Sequence, residues 1–166
     1  MVQPSSPLSP DRGQCYRRYF PRVFAYIYGR VRDTRATEDL TSRVFRRAFA
    51  KAHALPDEKS FATWLFATAR ALLTSRYRRQ RRLGSFPCQG APEHELLQRP
   101  EVARLLDHLR RFSLREQDII GLKFDAQLSN AQIAEVMGLS EGNVRAILYR
   151  TLRKLRQALQ REPEVP

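Results

Sequence analysis

Residues 129–150 read SNAQIAEVMGLSEGNVRAILYR, and the placing of small, apolar and capping residues along this stretch decides the fold. Ser129 stands three positions before Gln132, the spacing at which a hydroxyl and an amide side chain satisfy free N–H groups at a helix start. Ile133, Ala134, Met137, Gly138, Leu139, Val144 and Ile147 then put small and apolar residues where a helix-turn-helix needs them. Ala134 permits close approach of two helices, Gly138 supplies the turn, and Ser140 caps the helix beyond it. That second helix is predicted to bury Val144, Leu148, Leu152 and Leu155. It exposes Glu141, Asn143, Arg145, Ala146, Tyr149 and Arg150, a face suited to the major groove of DNA. A further capping box, Ser113 to Glu116, fixes a helix start upstream.

Towards the N-terminus every strongly periodic run keeps the helical repeat of about 3.6 residues, and with 7 glycines in the chain the prediction is an all-α fold. Tyr16, Tyr19, Phe20, Val23, Phe24, Ile27, Tyr28 and Val31 share one face, with Pro21 expected to open a helix at its first position, where no N–H is missed. A second helix is signalled by Glu38 and Asp39 near its start and by Leu40, Val44, Phe45, Ala48 and Phe49 along one side. Pro56 ends the run that follows. A third helix carries Phe61, Trp64, Leu65, Thr68, Ala69 and Leu72 inward and finishes in the basic run Arg76, Arg78, Arg79, Arg81 and Arg82. Residues 83–100 show no sustained period and read as a flexible linker. The expected organisation is two small helical domains, 15–82 and 101–161, the second containing the helix-turn-helix. A disordered tail over 1–14 and a short one over 162–166 flank them.

Charge narrows the partners. The chain of 166 residues carries a formal net charge of +13, and 26 of its 30 basic residues are Arg, whose planar fork suits phosphate and base edges. Segment 15–82 holds 17 basic and 5 acidic residues, an excess of +12, whereas 101–161 holds 11 and 7, an excess of +4. No run is long and apolar enough to insert in a membrane, and the Pro- and Ser-rich start lacks the apolar core of a secretory signal, so a cytoplasmic location is expected. Cys15 and Cys88 show no zinc or disulfide spacing and read as ordinary thiols. His53, His94 and His108 have neither metal-ligand nor triad spacing, and no phosphate-cradling glycine loop is present. No catalytic residue, metal or cofactor is expected.

Two longer segments say more than the helix-turn-helix alone. EDLTSRVFRRAF at 38–49, followed by FATWLFATARALL at 61–73 and a basic run, resembles region two of extracytoplasmic-function RNA polymerase sigma factors. Residues 109–159, LRRFSLREQDIIGLKFDAQLSNAQIAEVMGLSEGNVRAILYRTLRKLRQAL, resemble their region four. The resemblance implies a protein that binds core RNA polymerase and directs promoter recognition, DNA melting and transcription initiation without catalysing a reaction. It makes Asp39, Leu40, Ser42 and Phe45 candidate contacts to the polymerase clamp, although periodicity alone would put Leu40 and Phe45 in the core. Ser42 and Arg43 stand where Gln and Glu are common in the family.

The same resemblance assigns capture of the melted minus-ten element to the third helix and the loop His53 to Ser60 before it. Trp64, Phe66 and Tyr77 are candidate stacking platforms and Arg70, Arg76, Arg78 and Arg79 candidate phosphate holders. Of the two aromatics early in the helix, Phe66 lies off the apolar stripe and is the one expected at the surface, with Trp64 expected in the core. Ala71 and Ser75 replace the usual Asn and Asp. Minus-thirty-five recognition falls to Ser140, Asn143, Arg145, Ala146, Tyr149, Arg150 and Arg153, with Ile147 where an Arg is frequent. Leu109, Phe112, Leu122 and Phe124 could meet the polymerase flap, and an anti-sigma factor is an expected partner. Two other readings stay open at this level: a helix-turn-helix regulator that binds operator DNA unaided, and a DNA-processing enzyme such as a recombinase, for which no nucleophile or paired carboxylates are evident.

Overall fold

The computed structural model describes residues 12–84 and 99–161, so residues 1–11 and 162–166, most of the linker, Cys88 and His94 lie outside the described residues, while residues 12–14, expected in the disordered tail, are instead the first turn of a helix. Within them the chain is all-α. Helices α1 (Arg12–Val31), α2 (Thr34–Lys51) and α3 (Glu58–Leu83) form the first unit, and a short 3-10 turn at Ala52–Ala54 precedes α3. Helices α4 (Pro100–Arg110), α5 (Leu114–Phe124), α6 (Asn130–Met137) and α7 (Glu141–Arg161) form the second.

In the first unit, packing sets the helices and polar caps set where two of them start. Val23, Ile27, Val44, Leu65, Phe66 and Ala69 are wholly buried, and Tyr19, Tyr26, Phe45 and Phe61 add rings to the same core. Burying one large apolar side chain is worth roughly 1.5–3 kcal/mol, so this aromatic and aliphatic centre holds three helices whose sequences are otherwise rich in arginine. Asp33 caps α2 by accepting from the Ala36 N–H at 2.7 Å, and Asp57 caps α3 through the Ser60 N–H at the same distance. Between α1 and α2 the backbone turns at Arg32 with φ 56°, a left-handed conformation more often given to glycine.

Three sequence expectations for these helices are corrected. Pro21 lies inside α1 rather than at its start, because the aromatic face on both sides of it packs on α2 and α3 and outweighs the lost hydrogen bond. Helix α2 begins at Thr34, so Glu38 and Asp39 sit beyond its first turn, and the cap is Asp33. Thr68 is only partly buried, its hydroxyl donating to the Trp64 carbonyl at 2.9 Å.

The second unit is organised by its caps. Both capping boxes form: the Ser113 N–H donates to Glu116 at 3.0 Å and the Ser129 N–H to Gln132 at 3.0 Å, each answered by the helix N–H bonding back to the Ser hydroxyl. Gly138 takes φ 65°, and its N–H together with that of Leu139 closes the end of α6 on the carbonyls of Glu135 and Ala134. Ile119, Leu122, Ile133 and Val144 form the aliphatic centre. Leu152 is a correction, since it is 39% exposed, and Thr151 takes the inward place beside it.

The two units also pack against each other, with α1 on α5 and α3 on α6, and their apolar centres merge into one core. Gly121 of α5 makes this possible: a Cβ there would lie 2.7 Å from Cδ2 of Tyr26 in α1.

Candidate nucleic-acid interface

Helix α7 presents the face expected of a recognition helix. Its start is held by the Ser140 hydroxyl, which accepts from the Asn143 N–H at 3.2 Å, so Ser140 is occupied as a cap. Val144, Ile147, Leu148 and Leu155 turn inward, while Asn143, Arg145, Ala146, Tyr149, Arg150 and Arg153 are exposed. Tyr149 is 69% exposed, a large aromatic with no place in the core. Arg145 keeps a loose pairing with Glu141 at 3.5 Å, which a stronger anion would displace.

The orientation of α7 is fixed from α5. Glu116, already in its capping box, also receives Lys154 Nζ at 2.8 Å and the Thr151 hydroxyl at 3.4 Å. Hydrogen bonds from Lys154 and then from Ser113 hold its carboxyl down to about 2. A cleft of about 270 Å³ opens beside this junction, lined by Arg115, Glu116, Asn143, Ile147, Arg150 and Lys154. Arg115 and Lys154 were not singled out from the sequence. They belong to different helices, and only the fold brings them to one rim.

In the first unit the candidates divide. Arg78 and Arg79 are exposed, Tyr77 is 41% exposed, and Arg76 is half-buried in a small cleft beside Arg30 and Tyr77. Trp64 is partly buried against the core. Phe66 is the clear correction: expected at the surface, it has no exposure and sits edge-on to Tyr26 with ring centroids 5.9 Å apart. Arg70 is not free either, since its Nε donates to Asp118 at 3.1 Å. On α2, Asp39 and Ser42 are exposed and Leu40 and Phe45 are buried, so only the first two offer side chains to a partner.

A second cavity, of about 310 Å³, lies between the start of α1 and the loop before α3, lined among others by Cys15, Arg18, Tyr19, Leu55, Glu58 and Phe61. Tyr19 donates to Glu58 at 3.0 Å, and Arg18 pairs with the same carboxylate. Burial, then the bond to Glu58, pushes the Tyr19 hydroxyl up to about 12, so it stays a donor at neutral pH.

Sequence comparison matches two stretches of the chain to family models. Residues 15–83 match the family described as Sigma-70 region 2, and residues 108–157 match Sigma-70, region 4. The chain is 32% identical over 157 residues to the ECF RNA polymerase sigma factor BldN of Streptomyces coelicolor, covering 89% of this chain and 60% of that one. It therefore spans about three-fifths of that relative's length. Against the ECF RNA polymerase sigma factor SigX of Bacillus subtilis the identity is 26%, over 87% of this chain and 81% of the other. Among solved structures, the sigma factor RpoE in complex with the anti-sigma factor NepR from Bartonella quintana superposes with a TM-score of 0.78 at 20% identity, covering 92% of this chain and 99% of that one. CnrH in complex with the cytosolic domain of CnrY gives 0.70 at 21% identity, covering 92% and 89%. At these identities the structural likeness establishes a shared fold.

Proposed function

Because the chain belongs to the RNA polymerase sigma factors of the extracytoplasmic-function type, with regions two and four in order, we propose that it binds core RNA polymerase and directs it to promoters. The observation that carries this reading is the pairing, on one chain, of a capped helix-turn-helix with a strongly basic three-helix unit. Either part alone would fit many DNA-binding proteins.

Region four docks on the minus-thirty-five duplex. Asn143 and Arg145, one turn into α7, reach base edges, Tyr149 and Arg150 continue the same face, and Arg153, about 12 Å further along the helix, holds phosphate. Ser140 contributes by fixing the helix start. Region two holds the unpaired minus-ten strand, with Tyr77 as a stacking surface and Arg76, Arg78 and Arg79 along the backbone. The cavity bordered by Leu55 and Glu58 is where an unstacked base is received. Asp39 and Ser42 meet the clamp, while Leu40 and Phe45 shape that surface from beneath. Phe124, 55% exposed, is the apolar residue most available to the flap.

Melting is favoured by binding energy alone, with no catalysis and no cofactor. The protein works in the cytoplasm, and no described helix is long and apolar enough to cross a membrane. An anti-sigma factor is a partner by analogy with RpoE, which shares this fold and is found in complex with the anti-sigma factor NepR. Run-off transcription with purified core polymerase on genomic fragments tests the proposal. Discrete promoter-dependent transcripts are expected. Tight, sequence-specific operator binding without polymerase, and no transcripts with it, would replace this reading by that of a stand-alone regulator.

A further inference from the structure

Aromatic side chains of α1 and α2 form one continuous run of ring contacts. On α1 the ring centroids of Tyr16 and Phe20 lie 5.1 Å apart, those of Phe20 and Phe24 5.8 Å, and those of Phe24 and Tyr28 6.2 Å, the last pair stacked. Phe45 of α2 joins Tyr16 at 4.9 Å and Phe20 at 6.5 Å, and Phe49 continues from Phe45 at 5.8 Å. Phe45 and Tyr28 are covered, but Tyr16 is 42% exposed and Phe20, Phe24 and Phe49 are half-buried. Contiguous apolar surface of this kind marks a place where something docks.

The segment that stands next to it in the chain has matching chemistry. Residues 1–11, directly before the first residue of α1, read MVQPSSPLSPD, with proline at 4, 7 and 10. A polyproline II helix turns once in about three residues, so Pro4 and Pro7 fall on one side of such a segment, ~9 Å apart. The open rings from Tyr16 to Phe24 cover ~12 Å of α1. Ser9 and Pro10 hold the first two places of a type I turn in the order that turn prefers, which lets the chain double back ahead of Arg12. From there residues 2–8 reach ~22 Å, enough to pass Phe24. Residues 1–10 carry no charged side chain, so laying them on the rings desolvates none.

We propose that this aromatic ladder is the docking surface of the chain's own N-terminal segment, which runs back along α1 as a polyproline II helix with Pro4 and Pro7 on the rings of Tyr16, Phe20 and Phe24. Proline-rich segments suit aromatic faces because their preformed helix has little conformational entropy left to lose. The covalent link supplies the rest. A short tether holds the segment at roughly millimolar effective concentration, so a contact too weak to persist between separate molecules is occupied within one. The docking is independent of the sigma-factor reading.

The test uses the full chain. Pro4→Ala, Pro7→Ala and Pro10→Ala together remove the proline rings and leave every helix unaltered, and Tyr16→Ser, added to them, removes the most open ring of the ladder. Aromatic NMR signals of Tyr16, Phe20 and Phe24 should differ between the unaltered chain and the triple variant, while those of Tyr26 and Phe66 stay in place. A synthetic peptide of residues 1–11 should bind the triple variant and bind the unaltered chain about tenfold more weakly, if the segment already covers nine molecules in ten. It should not bind once Tyr16→Ser is added. Identical ring signals in the unaltered chain and the triple variant, with no peptide binding to the latter, would overturn the proposal. Ring signals that shift with protein concentration instead of with the prolines would also overturn it and give the face to a second copy of the chain.

Discussion

Regions two and four reach the same all-α architecture by different physical routes. Region two is built on long helices around a ring-rich centre, with Tyr26 1%, Phe45 2%, Phe61 3% and Phe66 0% exposed. Region four packs three helices of 8–11 residues and one of 21 around Ile119, Leu122, Ile133 and Val144, and three serine caps fix where α5, α6 and α7 begin. The first is specified by long-range packing and the second largely by contacts three residues apart. What this teaches is where each region is fragile: region two should fail when its centre is hollowed, region four when its helix starts are loosened.

The contrast can be broken most directly at Leu65, which has no exposure in the middle of α3. Leu65→Ala should destabilise region two by about 2–5 kcal/mol, through lost burial and the cavity left behind. Chemical denaturation followed by helix signal measures it, and a loss under 1 kcal/mol would mean that the packing is looser than drawn. At Ser129 the expected loss is smaller, about 0.5–2 kcal/mol for Ser129→Ala, because one cap is removed from a helix of 8 residues. Replacing Gln132 by Glu sharpens the same point: the carboxylate still accepts from the Ser129 N–H but can no longer donate to Lys59 and Thr63. Cap and inter-region link are then separated, and amide exchange in α6 should be preserved while contact with α3 is lost.

The smallest expected effect is a pH slope. Glu116 is held at about 2, below its ordinary 4.5, so its contribution to region four is complete above about 4.5 and fades as pH falls towards 2. Asp125 runs the other way. Burial pushes its carboxyl up to about 6 from 3.8, so it opposes folding increasingly as pH rises from about 3.8 to about 6 and fully above that. Thermal unfolding midpoints should therefore fall less steeply in acid for Glu116→Gln than for the unaltered chain. Asp125→Asn should raise the midpoint at neutral pH. Parallel curves for all three would show that neither carboxylate is seated as described.

Local chemistry made region four readable from sequence. The Ser113 and Ser129 boxes, the Gly138 turn and the exposed face from Asn143 to Arg150 all follow from residues within one or two helical turns of each other. Leu152 escaped that logic because Thr151 takes the inward place next to it. In region two the helices were legible by periodicity, but their limits were not. Asp33 caps α2 before the acidic pair that suggested its start, and Pro21 is carried inside α1 by aromatic packing on both sides. Phe66 and Arg70 were misjudged as surface groups for one reason. Their environment is set by Tyr26, Asp118 and region four, and no pattern within α3 shows what lands on it from elsewhere in the chain.

The Arg70 and Asp118 partners are 48 residues apart, and Tyr26 and Asp118 are 92 apart. A ribosome adding about 5–20 residues per second takes roughly 2–10 s to pass from Arg70 to Asp118. Region two, which ends before α4, is fully synthesised before Asp118 is added, so it can begin to fold while its partner across the interface is still being made. Every newly synthesised molecule thus begins life uncovered and meets its surroundings first through the half that carries most of the positive charge.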